Sequence, residues 1–319
     1  MKKKNYIYTL FIIPFFVVNC KNGTFTDTNE TDIDTNSIVD HDLEQKIKYQ
    51  NTRDKKSIFF PDSTSSETFL RNIITIEKEL DSLLQIKNNL EANLLYEDYS
   101  AKLIENLTSY NFANSTILDN YINYHPNEIP EEWKKQINQL KNLGIELVYE
   151  GEGYYSFQFK NNYFYQLFKG KVTTDLESFL QNYAEDDKVV FQIDAGIVVP
   201  WKDIRKRIIR WENFIINNPE SRYNTTAKEV YAFYLRSYLL GMDNTRTYEW
   251  ETREIYPEIK ADFIEYIQQN PNTFGTELTK EFLDFFNYAS KNYTGEKFDE
   301  QIKNHVLGIL QESLNHHQH

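Results

Sequence analysis

The spacing of apolar positions divides the chain into stretches of different period. Phe69, Ile73, Ile76, Leu80, Leu83, Lys87, Leu90 and Leu94 alternate steps of four and three, which predicts one long helix with a single polar intruder, Lys87. Ile74, Leu84 and Leu95 widen the seam into a stripe suited to a globular core rather than to a two-stranded coil. Asp62, Ser63, Ser65 and Ser66 stand before it as cap candidates. Shorter helical segments are expected near 99–110 and 115–124. Pro130-Glu131-Glu132 opens a further helix, with proline in the first turn and acids at the positive end of the dipole. Trp133, Ile137, Leu140 and Leu143 form its apolar side, and Gly144 is its expected stop.

At Ile145 the period becomes two. Ile145, Leu147 and Tyr149 alternate with polar residues, Gly151-Glu152-Gly153 turns the chain, and Tyr155, Phe157 and Phe159 alternate again. This predicts a β-hairpin near 145–159. Helical patterns resume over 162–169 and 174–184. Val189-Val190-Phe191 suits a strand or a buried connection, and Pro200-Trp201 opens a C-terminal helical region.

That region repeats itself at a shift of 52 residues. Trp211, Phe214, Ile215, Asn218, Pro219 and Ser221 fall on Phe263, Tyr266, Ile267, Asn270, Pro271 and Thr273; Lys228, Glu229, Val230, Phe233 and Tyr234 fall on Lys280, Glu281, Phe282, Phe285 and Phe286. Each copy, about 204–240 and 256–292, reads as helix, Asn-Pro turn, helix, because a residue before proline is pushed out of the helical region. The aromatic-then-Asn-Pro-Ser pattern resembles tetratricopeptide-type hairpins. A concave groove along the two hairpins, lined by exposed aromatics such as Tyr223, Tyr231 or Tyr238, would support protein binding. The period exceeds the usual spacing of about 34 by roughly the loop Gly241 to Tyr256. A last helix, Phe298 to Leu310, would cap the stack. The fold expected is mainly α, helical hairpins with one small β-hairpin insert; an α+β arrangement is the alternative.

The N-terminus has a different character. Lys2, Lys3 and Lys4 precede an apolar run from Ile7 to Val18, interrupted by Tyr8, Thr9 and Pro14. That run is shorter than the roughly twenty residues a bilayer requires and has the form of a secretory signal. Cys20, the only cysteine, follows directly. Val17-Val18-Asn19-Cys20 resembles a bacterial lipobox, with Asn19 where Gly, Ala or Ser is usual. The resemblance to bacterial lipoproteins implies removal of residues 1–19 as a signal peptide and a palmitate-bearing diacylglycerol anchor on Cys20. It also implies export and anchoring to a bacterial membrane of the cell envelope, with the outer membrane and a periplasmic or surface-facing placement as the readings and the choice of inner or outer membrane left open by the sequence. Residues 20–57 are too polar to bury a core and read as a tether of about 35 Å as a random coil. A helical domain over 58–200 and the repeat region over 201–319 would follow.

Charge narrows the partners. Without residues 1–19 the chain carries 32 Lys and Arg against 48 Asp and Glu, a net −16. Such a body does not attract nucleic acid or anionic lipid through bulk electrostatics.

Candidate chemistry is sparse. Nine of the twenty residues from Tyr149 to Phe168 are Tyr or Phe. They suit either a buried hairpin face or a platform on which Tyr154, Tyr155, Tyr163 and Tyr165 stack on a glycan or small ligand. Glu150, Glu152 and Asp194 are the carboxylates available for hydrolysis of a glycosidic bond if they meet across a cleft, and otherwise ordinary turn acids. Gly241-Met242-Asp243-Asn244-Thr245 reads as a helix stop with a local cap, and less well as a cation loop. His305, His316, His317 and His319 cluster near the C-terminus, where a fraying polar tail is the alternative to metal binding. Lys202, Arg205, Lys206, Arg207 and Arg210 read as a solvated basic face or an anion-binding patch. No Gly-rich phosphate loop, nucleophile elbow, paired-cysteine motif or metalloprotease motif occurs, so neither a cofactor nor a metal is expected and the balance favours a non-catalytic chain. The function expected is an envelope scaffold or protein-interaction module held to the membrane through lipid on Cys20. A glycan- or small-ligand-binding lipoprotein and an envelope hydrolase are the alternatives.

Overall fold

The computed structural model describes residues 66–125, 128–160 and 162–316. The expectations for the signal peptide, Cys20, the tether, the cap candidates Asp62, Ser63 and Ser65, and for His317 and His319 lie outside the described residues. The fold is mainly α with small antiparallel hairpins. Two compact units divide near residue 113.

The first unit is a helical hairpin of α1 (Ser66–Leu84) and α2 (Asn89–Ala113). Phe69, Ile73, Ile76, Leu80 and Leu84 form the buried stripe of α1. The seam does not run on as one helix. Beyond Leu84 the N–H groups of Gln85, Ile86 and Lys87 close onto Asp81 and Leu83, and Leu90 is left 70% exposed. Buried positions in α2 shift to Ala92, Tyr96, Tyr99, Leu103, Leu107 and Tyr110. Phe69 stacks on Tyr110 with ring centroids 4.3 Å apart, which sets the start of α1 beside the end of α2.

In the second unit, α3 (Ser115–Asn120) and a 3-10 turn (Tyr121–Asn123) lead to α4 (Glu131–Asn142). Gly144 ends α4 at φ 74°; a Cβ there would come within 2.7 Å of the Tyr163 ring, so only glycine fits. Strands β1 (Ile145–Gly151) and β2 (Tyr154–Phe159) pair Ile145 with Phe159, Leu147 with Phe157 and Tyr149 with Tyr155. Ile145 and Phe157 on this face are buried, as the alternation predicts. Next come α5 (Tyr163–Phe168), α6 (Thr174–Asp186), β3 (Gln192–Ile193) and β4 (Gly196–Ile197).

The repeat region holds α7 (Trp201–Asn217) with α8 (Asn224–Leu240) and α9 (Pro257–Gln269) with α10 (Phe274–Asn292). The final helix, α11 (Gly295–His316), packs on α8 and α10 through Phe298, Ile302, Val306 and Ile309. Between the hairpins, residues 241–255 form β5 (Gly241–Met242), β6 (Thr245–Arg246), β7 (Tyr248–Glu249) and β8 (Glu254–Ile255). This insert explains the long period, because it fastens the ends of later helices. The Tyr248 ring sits between Phe286 and Phe298, and its hydroxyl donates to Asp299 at 2.7 Å. Arg253 Nη1 donates to the carbonyls of Ser290 (2.8 Å) and Tyr293 (3.0 Å), satisfying acceptors at the C-terminal end of α10. Among the described residues no helix is long and apolar enough to cross a membrane.

Candidate functional site

Helix α7 decides the charge chemistry of the second unit. Ile204, Ile208, Trp211, Phe214 and Ile215 bury its apolar side, but Arg205, Arg207 and Glu212 are buried too, the arginines 7% and 5% exposed. The basic run is therefore not a solvated face; only Lys202 and Lys206 of the five are exposed. Periodicity marks one buried side, whereas α7 is covered by α6, α8, α9 and α10.

Two ion clusters result. In the first, Asp186 at the end of α6 is 1% exposed. It accepts a hydrogen bond from Trp211 Nε1 at 2.5 Å and pairs with Arg210. Arg207 donates to the Val189 carbonyl (2.8 Å) and the Tyr234 hydroxyl (3.3 Å), its guanidinium 5.3 Å from the ring centres of both Phe191 and Tyr234. Burial pushes the Asp186 carboxyl above its ordinary range, opposed by Trp211 and the charges of Arg210 and Arg207. Its neighbour Asp187 is raised further, to about 7, by burial and then by the charge of Asp186, with Arg207 pulling the other way. Asp187 is thus a group able to take up and release a proton near neutral pH.

In the second cluster Arg205 joins the two hairpins. Its Nε lies 3.0 Å from Asp262 and its Nη2 3.2 Å from Glu265, both on α9, and Tyr238 of α8 donates to Asp262 at 2.7 Å. The forked guanidinium reaches two carboxylates at once, which a lysine does not.

The expected site residues are dispersed. Tyr154 is 47% exposed, and Tyr155, adjacent to it on β2, points to the opposite face of the strand. Tyr163 is buried against Phe159 and Phe164 with ring centroids 4.7 and 5.1 Å away, and Tyr165 is half-buried beside Lys169. The four do not form one exposed face. The structure instead groups Tyr155 with Tyr121 (4.9 Å) and Tyr149 (5.2 Å), Tyr149 being 41% exposed at the hairpin end. Tyr223, Tyr231 and Tyr238 line no exposed groove and are core residues: Tyr223 packs 5.1 Å from Phe179, Tyr238 packs 4.8 Å from Phe263, and Tyr231 is 2% exposed.

Chemically, the second unit is a set of helices joined by buried ion clusters. Compared with known proteins, the chain matches no family model, no curated protein and no solved structure.

Glu150, Asp194 and Asn244 are bonded into the hairpin tips. Glu150 accepts from Ser156 Oγ at 2.5 Å and from Gln158 Nε2. A Cβ on Gly151 would lie 3.3 Å from the backbone nitrogen of Asp194, so the β1–β2 and β3–β4 tips abut. Asn244 donates its backbone N–H to the Ala195 carbonyl (3.0 Å) and its Nδ2 to that of Asp194 (2.6 Å). Its side chain acts as a donor there, and Gly241, at φ 76°, ends α8 as a stop should. His305 stacks on Phe285 at 3.9 Å and lies 3.8 Å from Glu281. Among the described residues no group of three His, Cys, Asp or Glu is placed to hold a metal.

Sequence reasoning missed the Asp186–Asp187 cluster, although one signal existed. Glu185, Asp186 and Asp187 end a helix at its negative pole, where carboxylates are disfavoured unless a cation meets them.

Proposed function

We propose that the protein is an envelope lipoprotein, tethered through Cys20, whose helical body serves as a non-catalytic interaction module. The observation that carries this reading is the order of segments: a basic and apolar leader, the lipobox-like Val17-Val18-Asn19-Cys20, a polar stretch, then a helical body. The buried charges of the body support the second half of it. Asp186, Arg205, Arg207 and Glu212 hold helices together, which is the work of a rigid scaffold.

A second reading rests on the rings of Tyr121, Tyr149 and Tyr155, which make the end of the β1–β2 hairpin a platform for a glycan or small apolar ligand. One experiment separates the two. A photo-reactive amino acid at Tyr149, and as a control at the exposed Lys206, is introduced into the anchored full chain in intact cells. The interaction module predicts a discrete protein adduct from one site and not the other. Adducts to glycan alone favour the platform, and no adduct from either position counts against both.

A further inference from the structure

We propose that the partner of this protein is a Lys- and Arg-rich protein segment, bound in the second unit by the rings of Tyr121, Tyr149 and Tyr155 and the carboxylates of Glu152, Asp194 and Asp243. The proposal rests on the reading of the body as an interaction module, and it names that module's docking surface and the chemistry of what docks there.

Three hairpin tips meet at this surface. A Cβ on Gly151 would lie 3.3 Å from the Asp194 Cβ, which places the β1–β2 turn against the β3–β4 turn. The β5–β6 turn joins them, because Ile197 donates its N–H to Thr245 Oγ1 at 3.0 Å and Asn244 holds the Asp194 carbonyl. Aromatic rings stand at the same place. Tyr155 packs 4.9 Å from Tyr121 and 5.2 Å from Tyr149, and the Tyr149 hydroxyl accepts from the Gly153 N–H at 3.3 Å, so that its ring lies over the β1–β2 turn. The exposed Ile122 side chain comes within 3.4 Å of a Cβ built on Gly153.

The charges here differ from those elsewhere in the unit. Asp186, Asp262 and Asp299 each meet a cation or a donor. The exposed carboxylates of Glu152, Asp194 and Asp243 take neither a hydrogen bond nor an ion pair among the described residues. No lysine or arginine occurs in 149–155, 194–196 or 243–245, and Arg246 pairs with Gly241 at the far end of β5–β6. Like charges brought together without a counter-charge repel, and a cationic partner relieves that repulsion as it binds. The rings add to the selection, since an ammonium or guanidinium is attracted to an aromatic face and arginine can stack on one while pairing with a carboxylate. The acids are not gathered about one point able to hold a metal. Their spread suits a segment carrying several charges in succession.

Fluorescence polarisation of a fluorescein-labelled octa-arginine peptide with the full chain tests the proposal, at physiological ionic strength so that diffuse attraction is screened. The variant Glu152→Gln, Asp194→Asn, Asp243→Asn removes the tip charges while keeping side-chain shape. A control removes three exposed acids elsewhere, Glu220→Gln, Glu296→Gln and Glu300→Gln. The tip variant is expected to bind about tenfold more weakly, the control to change by less than about twofold, and Tyr149→Ala to lose about threefold. Equal losses in the two charge variants, an unchanged Tyr149→Ala, or no binding by the parent chain overturns the proposal. Cross-linking in cells separates it from the reading beneath it. A protein adduct from Tyr149 that disappears with the tip variant supports the proposal; an adduct from Lys206 alone overturns it and leaves the interaction module standing.

Discussion

Asn218 and Asn270, 52 positions apart, adopt the same backbone conformation, φ −132° with ψ 56° and φ −132° with ψ 57°. Each donates its N–H to the carbonyl four residues earlier, Phe214 or Tyr266, at 3.0 Å, and each adds a side-chain bond to that carbonyl, at 3.0 and 3.3 Å. The following proline forbids helical geometry at the asparagine, so the sequence match becomes a geometric one. The copies diverge in what starts the next helix. Asn224 Nδ2 donates to the carbonyls of Ile215 (3.1 Å) and Asn218 (3.0 Å) in the first, while Thr273 Oγ1 accepts from the Thr276 N–H (3.3 Å) in the second.

Asn224→Ala should therefore cost more than Thr273→Ala. The first strips a donor from two carbonyls at a buried position, a loss of roughly 1–3 kcal/mol. The second removes an N-cap worth about 1 kcal/mol. Chemical denaturation of both variants checks the ranking, and equal or reversed losses would contradict it.

Stability should depend on pH through Asp187. Burial and Asp186 raise its carboxyl from 3.8 to about 7 in the folded chain. A group whose pKa rises on folding stabilises the fold fully below its unfolded pKa, and that contribution disappears as pH rises through the folded one. The relevant window is therefore pH 4 to 7. Asp187→Asn removes the ionisation, so urea midpoints of the variant should be flatter across that window and higher than the parent's at pH 8. A variant that loses stability with pH as the parent does would refute the assignment.

Asp186→Ala leaves Trp211 Nε1 and Arg210 without their acceptor in a buried site. The expected loss is roughly 3–5 kcal/mol. Asp186→Asn, which keeps an acceptor for Trp211, should lose less, and near-UV circular dichroism should report the freed indole only in the alanine variant.

Gly275→Ala should be destabilising by about 1–3 kcal/mol, because the added methyl meets the Tyr266 hydroxyl and lies 3.1 Å from Ile208 Cγ2. Combining it with Tyr266→Phe should recover part of the loss. No recovery would mean that the Ile208 side, rather than the hydroxyl, sets the strain.

Elements governed by local chemistry were legible in the sequence. Pro130 and Gly144 bound α4 as expected, alternation located β1 and β2, and the Asn-Pro turns stood out as a repeat. Where several elements meet, the pattern misled. The heptad from Phe69 to Leu94 is continuous on paper, yet the chain turns after Leu84, since a seam does not encode where a hairpin folds back. Whether Tyr223, Tyr231 and Tyr238 line a groove or a core is not written in their spacing; neighbouring helices cover all three. Arg205 and Arg207 look solvated until Asp262, Glu265 and Tyr234, at distances of 27 to 60 residues, come to meet them.

The central claim is the lipid tether on Cys20, and metabolic labelling of cells producing the full chain with a radioactive or clickable palmitate tests it most directly. The account expects label on the wild-type protein in the membrane fraction, and with Cys20→Ala both loss of label and release from the membrane. A Cys20→Ala chain that is still labelled, or a wild-type chain that never is, would contradict it.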